Sequence, residues 1–248
     1  IGLYDCIISS SIVEDNPDLL RHGMWGIVTL ANTKTGVVID NFKPMQAQVN
    51  LDYFYTLRSK FSLSEWRYLM LQSAGYNAEA YNTSQQIWIL SRLLPIVQKN
   101  MHIMELAPKG TGKSFIYENI SPRVKIVSGG NLSPAVMFYN NASGQEGLLA
   151  RYDVLVLDEV QKIKFDRPEE IIGSLKGYLA NNRITRGGKV TIPSDCGLVL
   201  LANIKVDELQ QPFSDLLVEE LQDYWHETAF LDRFNGIIPG WEISKFEE

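Results

Sequence analysis

Cysteine and histidine are scarce in this chain of 248 residues. Cys6 and Cys196 are far apart, and His22, His102 and His226 share no metal-ligand spacing. Neither a disulfide framework nor a zinc site is expected. Long apolar runs are missing as well. No stretch approaches the roughly 20 residues that a membrane helix needs, so no membrane partner is expected. No signal peptide opens the sequence, and a reducing cytoplasm is the expected setting. Positive charge is in deficit, with 23 Lys and Arg against 29 Asp and Glu, a net charge of −6. That balance argues against generic nucleic-acid binding over the whole surface. There is also no internal repeat and no low-complexity run, which excludes a solenoid.

What is present is 45% hydrophobic content, enough for one large domain plus a smaller attachment. The charge is unevenly spread. Residues 161–190 carry seven basic residues (Lys162, Lys164, Arg167, Lys176, Arg183, Arg186 and Lys189) against three acids. Residues 206–248 carry eleven acids against Arg233 and Lys245. Basic loops on an acidic body fit a ring with a basic pore, and they also fit plain solvated loops.

The richest segment is Ala107-Pro108-Lys109-Gly110-Thr111-Gly112-Lys113-Ser114. It reads as a phosphate-binding loop. Gly110 and Gly112 allow a tight turn with several N–H groups aimed at one anion. Lys113 adds charge for the β- and γ-phosphates of ATP, and Ser114 offers a hydroxyl to Mg²⁺. An apolar run before it and Phe115-Ile116-Tyr117 after it supply a strand–loop–helix context. Glycine is usual where Ala107 stands, and a left-handed backbone there would strain an alanine. The plain alternative is a glycine-rich turn capping an ordinary helix.

Asp153 to Glu159 reads as a strand buried on both faces that ends in Asp-Glu. Asp158 would hold Mg²⁺ and Glu159 would polarise the attacking water. Gly197 to Asn203 is a further apolar strand. Its terminal amide is placed to orient water, as in ring-forming ATPases, or simply to end a strand. In Phe230-Leu231-Asp232-Arg233-Phe234, Arg233 could reach a neighbouring subunit's γ-phosphate, or form a surface pair with Asp232.

Residues 1–60 read as a small β module. Gly26–Leu30 and Gly36–Asp40 are its strands, with turn residues between them. Residues 61–100 read as a helical connector. Ser62 and Glu65 form a capping-box signature ahead of a helix to Gly75, and a second helix is expected over Asn82–Lys99. Residues 101–248 alternate strands with helices, including helices over Ser133–Asn141 and Pro168–Asn181, and a hairpin turn at Arg186-Gly187-Gly188-Lys189. The fold class is α/β, a parallel sheet flanked by helices.

The chain resembles the BrxL family, the Lon-like proteins of the BREX phage-exclusion systems. The carrying residues are Gly110 to Ser114, Val127-Ser128-Gly129-Gly130, Phe138-Tyr139-Asn140, Asp158-Glu159-Val160, Lys176 to Ala180, Arg186-Gly187 and Ala202-Asn203-Ile204. Asp232-Arg233-Phe234 and Ile238-Pro239-Gly240-Trp241 follow, with Phe42 to Gln46 and Ser64-Glu65-Trp66 upstream. The likeness runs from about Gly23 to the end. It implies an AAA+ P-loop ATPase core that forms homo-oligomeric rings, hexamers or heptamers, and engages DNA beside other phage-defence proteins. It implies Lys113, Ser114, Asp158 and Glu159 at the ATP site, Asn203 as sensor and Arg233 as a finger acting in trans. A basic turn before the sensor strand suggests Arg183, Arg186 and Lys189 near DNA. Fifteen residues follow Arg233. The expectation is therefore a core without its helical lid or a Lon-like domain, with no serine–lysine dyad to assign.

Two other functions stay open. One is a protein unfoldase feeding a protease, which would need an exposed aromatic after the second core strand. Gly129-Gly130-Asn131-Leu132 offers none. The other is a nucleotide-gated scaffold with little turnover, against which the presence of Lys113, Asp158 and Glu159 counts.

Overall fold

The computed structural model describes residues 6–17, 19–20, 24, 26–34, 36–44, 50–186 and 190–245. The chain divides into two compact units, Ile1–Phe61 and Ser62–Glu248. In the first, β1 (Ile7–Ile8) is followed by α1 (Ser10–Asp15), β2 (Gly26–Thr33), β3 (Gly36–Pro44) and α2 (Leu51–Arg58). Strands β2 and β3 form the expected antiparallel hairpin, with a bulge between Thr29 and Leu30, and β1 adds in parallel beside β3. Asn50 caps α2, its side-chain oxygen accepting from the Tyr53 N–H at 2.9 Å.

The second unit opens with helices α3 (Leu63–Ser73), α4 (Thr83–Ser91) and α5 (Leu94–Val97). The Ser62–Glu65 capping box is formed, with the Ser62 N–H donating to Glu65 at 2.7 Å. A second box, Asn82 with Gln85, starts α4. The single helix expected over 82–99 is instead two. Helix α4 ends at Ser91, and Pro95 sits in the first turn of α5, where its missing N–H does no harm.

Then come β4 (Ile103–Ala107), α6 (Lys113–Asn119), β5 (Val124–Ser128), β6 (Asn131–Leu132), α7 (Pro134–Met137), β7 (Tyr139–Asn140), β8 (Gln145–Glu146) and α8 (Leu148–Arg151). The helix expected to reach Asn141 stops at Met137. Asn140 bends the chain by accepting from the Ala142 and Ser143 N–H groups at 3.0 and 3.3 Å, and β7 pairs back onto β8. The chain continues with β9 (Val154–Asp158), β10 (Lys164–Phe165), α9 (Pro168–Asn181), β11 (Arg183–Arg186), β12 (Val190–Pro193), β13 (Gly197–Asn203), α10 (Thr228–Leu231) and β14 (Gly236–Pro239).

Five of these strands make one parallel sheet in the order β14-β4-β13-β9-β5. This is the expected α/β architecture, a parallel sheet flanked by helices. The inner strands are largely apolar because both faces are covered, with Glu105 of β4 a buried exception. Alternate residues supply two layers. Leu155, Leu157, Leu198 and Leu200 face a cluster that includes Ile171, Ile172 and Leu175 of α9. Val154, Val156, Val199 and Leu201 join Ile89 of α4 and Ile116 of α6. Register then sets the site. Asn203 pairs beside Ala107, and Asp158 beside Ser128, so these residues end their strands at one edge of the sheet. Among the described residues, no helix is long and apolar enough to cross a membrane.

Candidate nucleotide site

The phosphate loop leaves the carboxyl end of β4. Ala107 is the last strand residue and is not among the positive-φ positions, so the strain expected of alanine there does not arise. The left-handed turns fall on Gly110 (φ +88°) and Gly112 (φ +69°), where glycine adopts them without a steric cost. Thr111 is buried, Pro108 is half-buried and Lys109 is exposed. Gly112 leads directly into α6, whose first two residues are Lys113 and Ser114.

The ends of two further strands, β13 and β9, close on this loop. Lys113 is 7% exposed, and its Nζ donates to Asn203 Oδ1 at 2.6 Å. Burial holds its ammonium below the usual lysine range, opposed by the nearby carboxylates of Glu105 and Asp158. Ser114 Oγ donates to Asp158 Oδ2 at 2.8 Å. A hydroxyl and a carboxylate so placed form an oxygen pair suited to Mg²⁺. The other Asp158 oxygen accepts from the Glu159 N–H at 2.8 Å.

Glu159 has φ +48° and ψ 52°, a left-handed backbone on a residue that carries a Cβ. Such a conformation costs about 1–2 kcal/mol and turns the side chain off the strand line. Its carboxylate receives Lys162 Nζ at 2.9 and 2.8 Å. That hydrogen bond, with further help from Lys109 and Lys113, holds the carboxyl below its usual range and therefore ionised.

Several groups here were not foreseen. In the sequence Lys162 reads only as part of a basic run, although it stands three residues after Glu159 and pairs with it. Gln161 donates from Nε2 to the Asn203 carbonyl, and its own carbonyl accepts from Gln222 at 2.5 Å. Nothing local in the sequence marks either glutamine.

Arg233 lies elsewhere. It follows α10 and precedes β14, whose Gly236 pairs with Ile103 at the amino end of β4. Five residues of β4 separate that edge from the phosphate loop, about 16 Å at the usual rise. An arginine side chain does not span this, so Arg233 does not meet its own loop. Its Nε is buried and has no hydrogen-bond partner among the described residues.

The basic hairpin is formed by β11 and β12, which pair antiparallel from Arg183–Pro193 to Arg186–Val190. Arg183 lines an open groove of about 660 Å³ with Ser174, Asn181, Thr185 and Thr191. Arg186 turns inward, donating to the Tyr139 carbonyl and lying 3.7 Å from Glu170. Lys189 lies outside the described residues.

The family profile for the ATPase domain of Lon-like protease BrxL-like proteins matches residues 37–248. The chain belongs to the BrxL ATPase-domain family. Lon-like protease BrxL of Escherichia coli O9:H4 (strain HS) is 32% identical over 99% of this chain and 36% of its own length. Lon-like protease BrxL of Bacillus cereus (strain H3081.97) is 31% identical over 99% of this chain and 37% of its own. The chain thus spans just over a third of these BrxL relatives. A protein described as uncharacterized, ORF426 of Acidianus filamentous virus 1, is 26% identical over 95% of this chain and 61% of its own length. Among solved structures, the S. cerevisiae Hsp104–ADP complex aligns with a TM-score of 0.44 at 19% identity, over 73% of this chain and 37% of that one.

Proposed function

We propose that this chain is the ATP-binding and ATP-hydrolysing core of a ring-forming protein that engages DNA in phage defence. The observation that carries the ATPase reading is the meeting of two further strand ends with the glycine loop that leaves β4: Lys113 on Asn203, Ser114 on Asp158, and a left-handed Glu159 beside them. The loop amides and Lys113 receive the phosphates of ATP. Ser114 and Asp158 would hold Mg²⁺, which would supply positive charge to the phosphates. Glu159, ionised, accepts a proton from the attacking water, and Asn203 orients that water beside Lys113. Lys162 pairs with the Glu159 carboxylate, and it has to move off for Glu159 to act as the base.

Arg233 contributes in trans, because its own loop is out of reach. The ring follows from that requirement: an isolated subunit has an incomplete site. The DNA reading rests on the basic hairpin. Arg183, Thr185 and Thr191 line a groove suited to a phosphate backbone, with Arg186 bracing the hairpin behind. The defence setting rests on the resemblance to BrxL.

The name of the relatives favours a second reading, an unfoldase that feeds a Lon-like protease. One experiment separates the two. ATP turnover is measured with and without double-stranded DNA, at low and physiological salt, and again with an unfolded protein. Turnover raised by DNA, and less so as salt increases, supports the DNA motor. Turnover raised only by the unfolded protein replaces it with the unfoldase. A nucleotide-gated scaffold would give neither.

A further inference from the structure

Glu105 is out of place in an otherwise apolar strand. It sits in the middle of β4 and is fully buried. A lone carboxylate cannot be kept ionised there, so it must be paired. Its partner is Arg92, at the end of α4 and equally buried. Arg92 Nε donates to Glu105 Oε2 at 2.9 Å and Nη2 donates to Oε1 at 2.6 Å, a two-point fork.

The fork leaves donors to spare, and they point at the phosphate loop. Arg92 Nη2 also donates to the Thr111 carbonyl at 3.1 Å. Nη1 donates to the Tyr76 hydroxyl at 3.0 Å, and that hydroxyl donates to the Gly112 carbonyl at 2.9 Å. Burial pushes the Tyr76 phenol up to about 12, so it keeps its proton and remains a donor. Two successive loop carbonyls are therefore tied to the protein interior. In a planar trans peptide, the carbonyl and the following N–H point in opposite directions. Drawing the Thr111 and Gly112 carbonyls inward aims the N–H groups of Gly112 and Lys113 outward, toward the place an anion would occupy.

Gly240 closes the arrangement from the other side. A Cβ on Gly240 would come within 2.8 Å of Glu105 Oε1 and 3.0 Å of the Leu106 carbonyl. The glycine of the Pro239-Gly240-Trp241 segment thus leaves room for the buried carboxylate beneath the loop.

We propose that Arg92 and Tyr76 are positioning residues that hold the phosphate loop in its anion-accepting form before nucleotide arrives. The proposal rests on the ATP reading of that loop. It differs from a merely structural role in one respect: it acts only through the phosphates of the ligand.

The test uses the full chain and two probes, MgATP and adenosine, titrated by calorimetry or by competition. Tyr76→Phe removes one hydroxyl and keeps the ring. It is expected to weaken MgATP about five- to tenfold and to leave adenosine unchanged, whatever happens to the melting temperature. Arg92→Lys keeps a charge for Glu105 but cannot reach the loop as well, and is expected to cost MgATP more than Tyr76→Phe does. If Arg92→Lys does not fold, Tyr76→Phe decides alone. Unchanged MgATP affinity in Tyr76→Phe, or an equal loss for MgATP and adenosine, overturns the proposal. Failure of the unaltered chain to bind MgATP would overturn the ATP reading itself.

Discussion

The two ends of the central sheet are built for different work. At the carboxyl end, polar and charged groups gather and hold one another: Lys113 on Asn203 and Ser114 on Asp158 between elements, and Lys162 on Glu159 within one turn. Each of these contacts joins polar groups that a phosphate, a metal ion or a water could take over. At the amino end, the polar groups serve the fold. The His102 N–H donates to Asn235 Oδ1 at 2.7 Å, the Asn235 N–H donates back to the His102 carbonyl at 2.8 Å, and His102 Nδ1 accepts from the Leu198 N–H at 3.1 Å. These bonds stitch β4 to its neighbours. Arg233 differs at this end, its buried Nε having no hydrogen-bond partner among the described residues, and the proposed function assigns it to a neighbouring subunit's site. The difference follows a general property of open parallel sheets, in which ligands bind beyond the carboxyl ends of the strands.

Substitutions at the two ends should separate accordingly. Arg233→Ala is expected to have the largest effect, a loss of about 10³-fold in turnover with nucleotide affinity little changed. Mixing it with Lys113→Ala should restore part of the rate, because mixed interfaces in one of their two orientations pair an intact loop with an intact arginine. No restoration at any mixing ratio would show that Arg233 does not act in trans.

Glu159→Gln comes next, with about a 10²-fold loss of turnover and intact MgATP binding. The separation is visible by comparing single-turnover hydrolysis with equilibrium binding. Equal losses in both would make Glu159 a binding residue.

The smallest effect belongs to the amino end and concerns stability. Burial holds the His102 imidazole down at about 4, against about 6.5 in an unfolded chain. Above about pH 6.5, neither state takes the proton. Between about 6.5 and 4, the unfolded chain takes it first, so stability falls as pH falls, by up to about 3 kcal/mol. His102→Asn keeps an acceptor for Leu198 and should flatten that slope without altering turnover at neutral pH. Melting temperatures from pH 7 to 4.5 check this.

Local signals made much of this legible in the sequence. The phosphate loop, the strand ending Asp158-Glu159, the strand to Asn203 and helix α9 all carry their signature within a few residues. The family resemblance rested on the same segments. Where local signals misled, a nearby competing contact explains it. Residues 138–141 follow a helix start at Ser133 but are drawn into a turn by the Asn140 side chain. Strand β14 was not foreseen, because four residues with Ile237 half in solvent have no strong period. The network beneath the loop was out of reach for a different reason. Tyr76, Arg92, Glu105 and Gly112 come from four separate elements, and only the fold brings them together. Glu105 within an apolar strand was the one clue, since a buried carboxylate demands a cation.

The most direct test of the central claim is MgATP binding and hydrolysis by the unaltered chain beside Lys113→Ala. Burial of the Lys113 ammonium against Asn203, at the mouth of the glycine loop, predicts turnover in the unaltered chain and loss of both binding and turnover in the variant. Binding that survives Lys113→Ala unchanged would contradict the assignment of this loop as the nucleotide site.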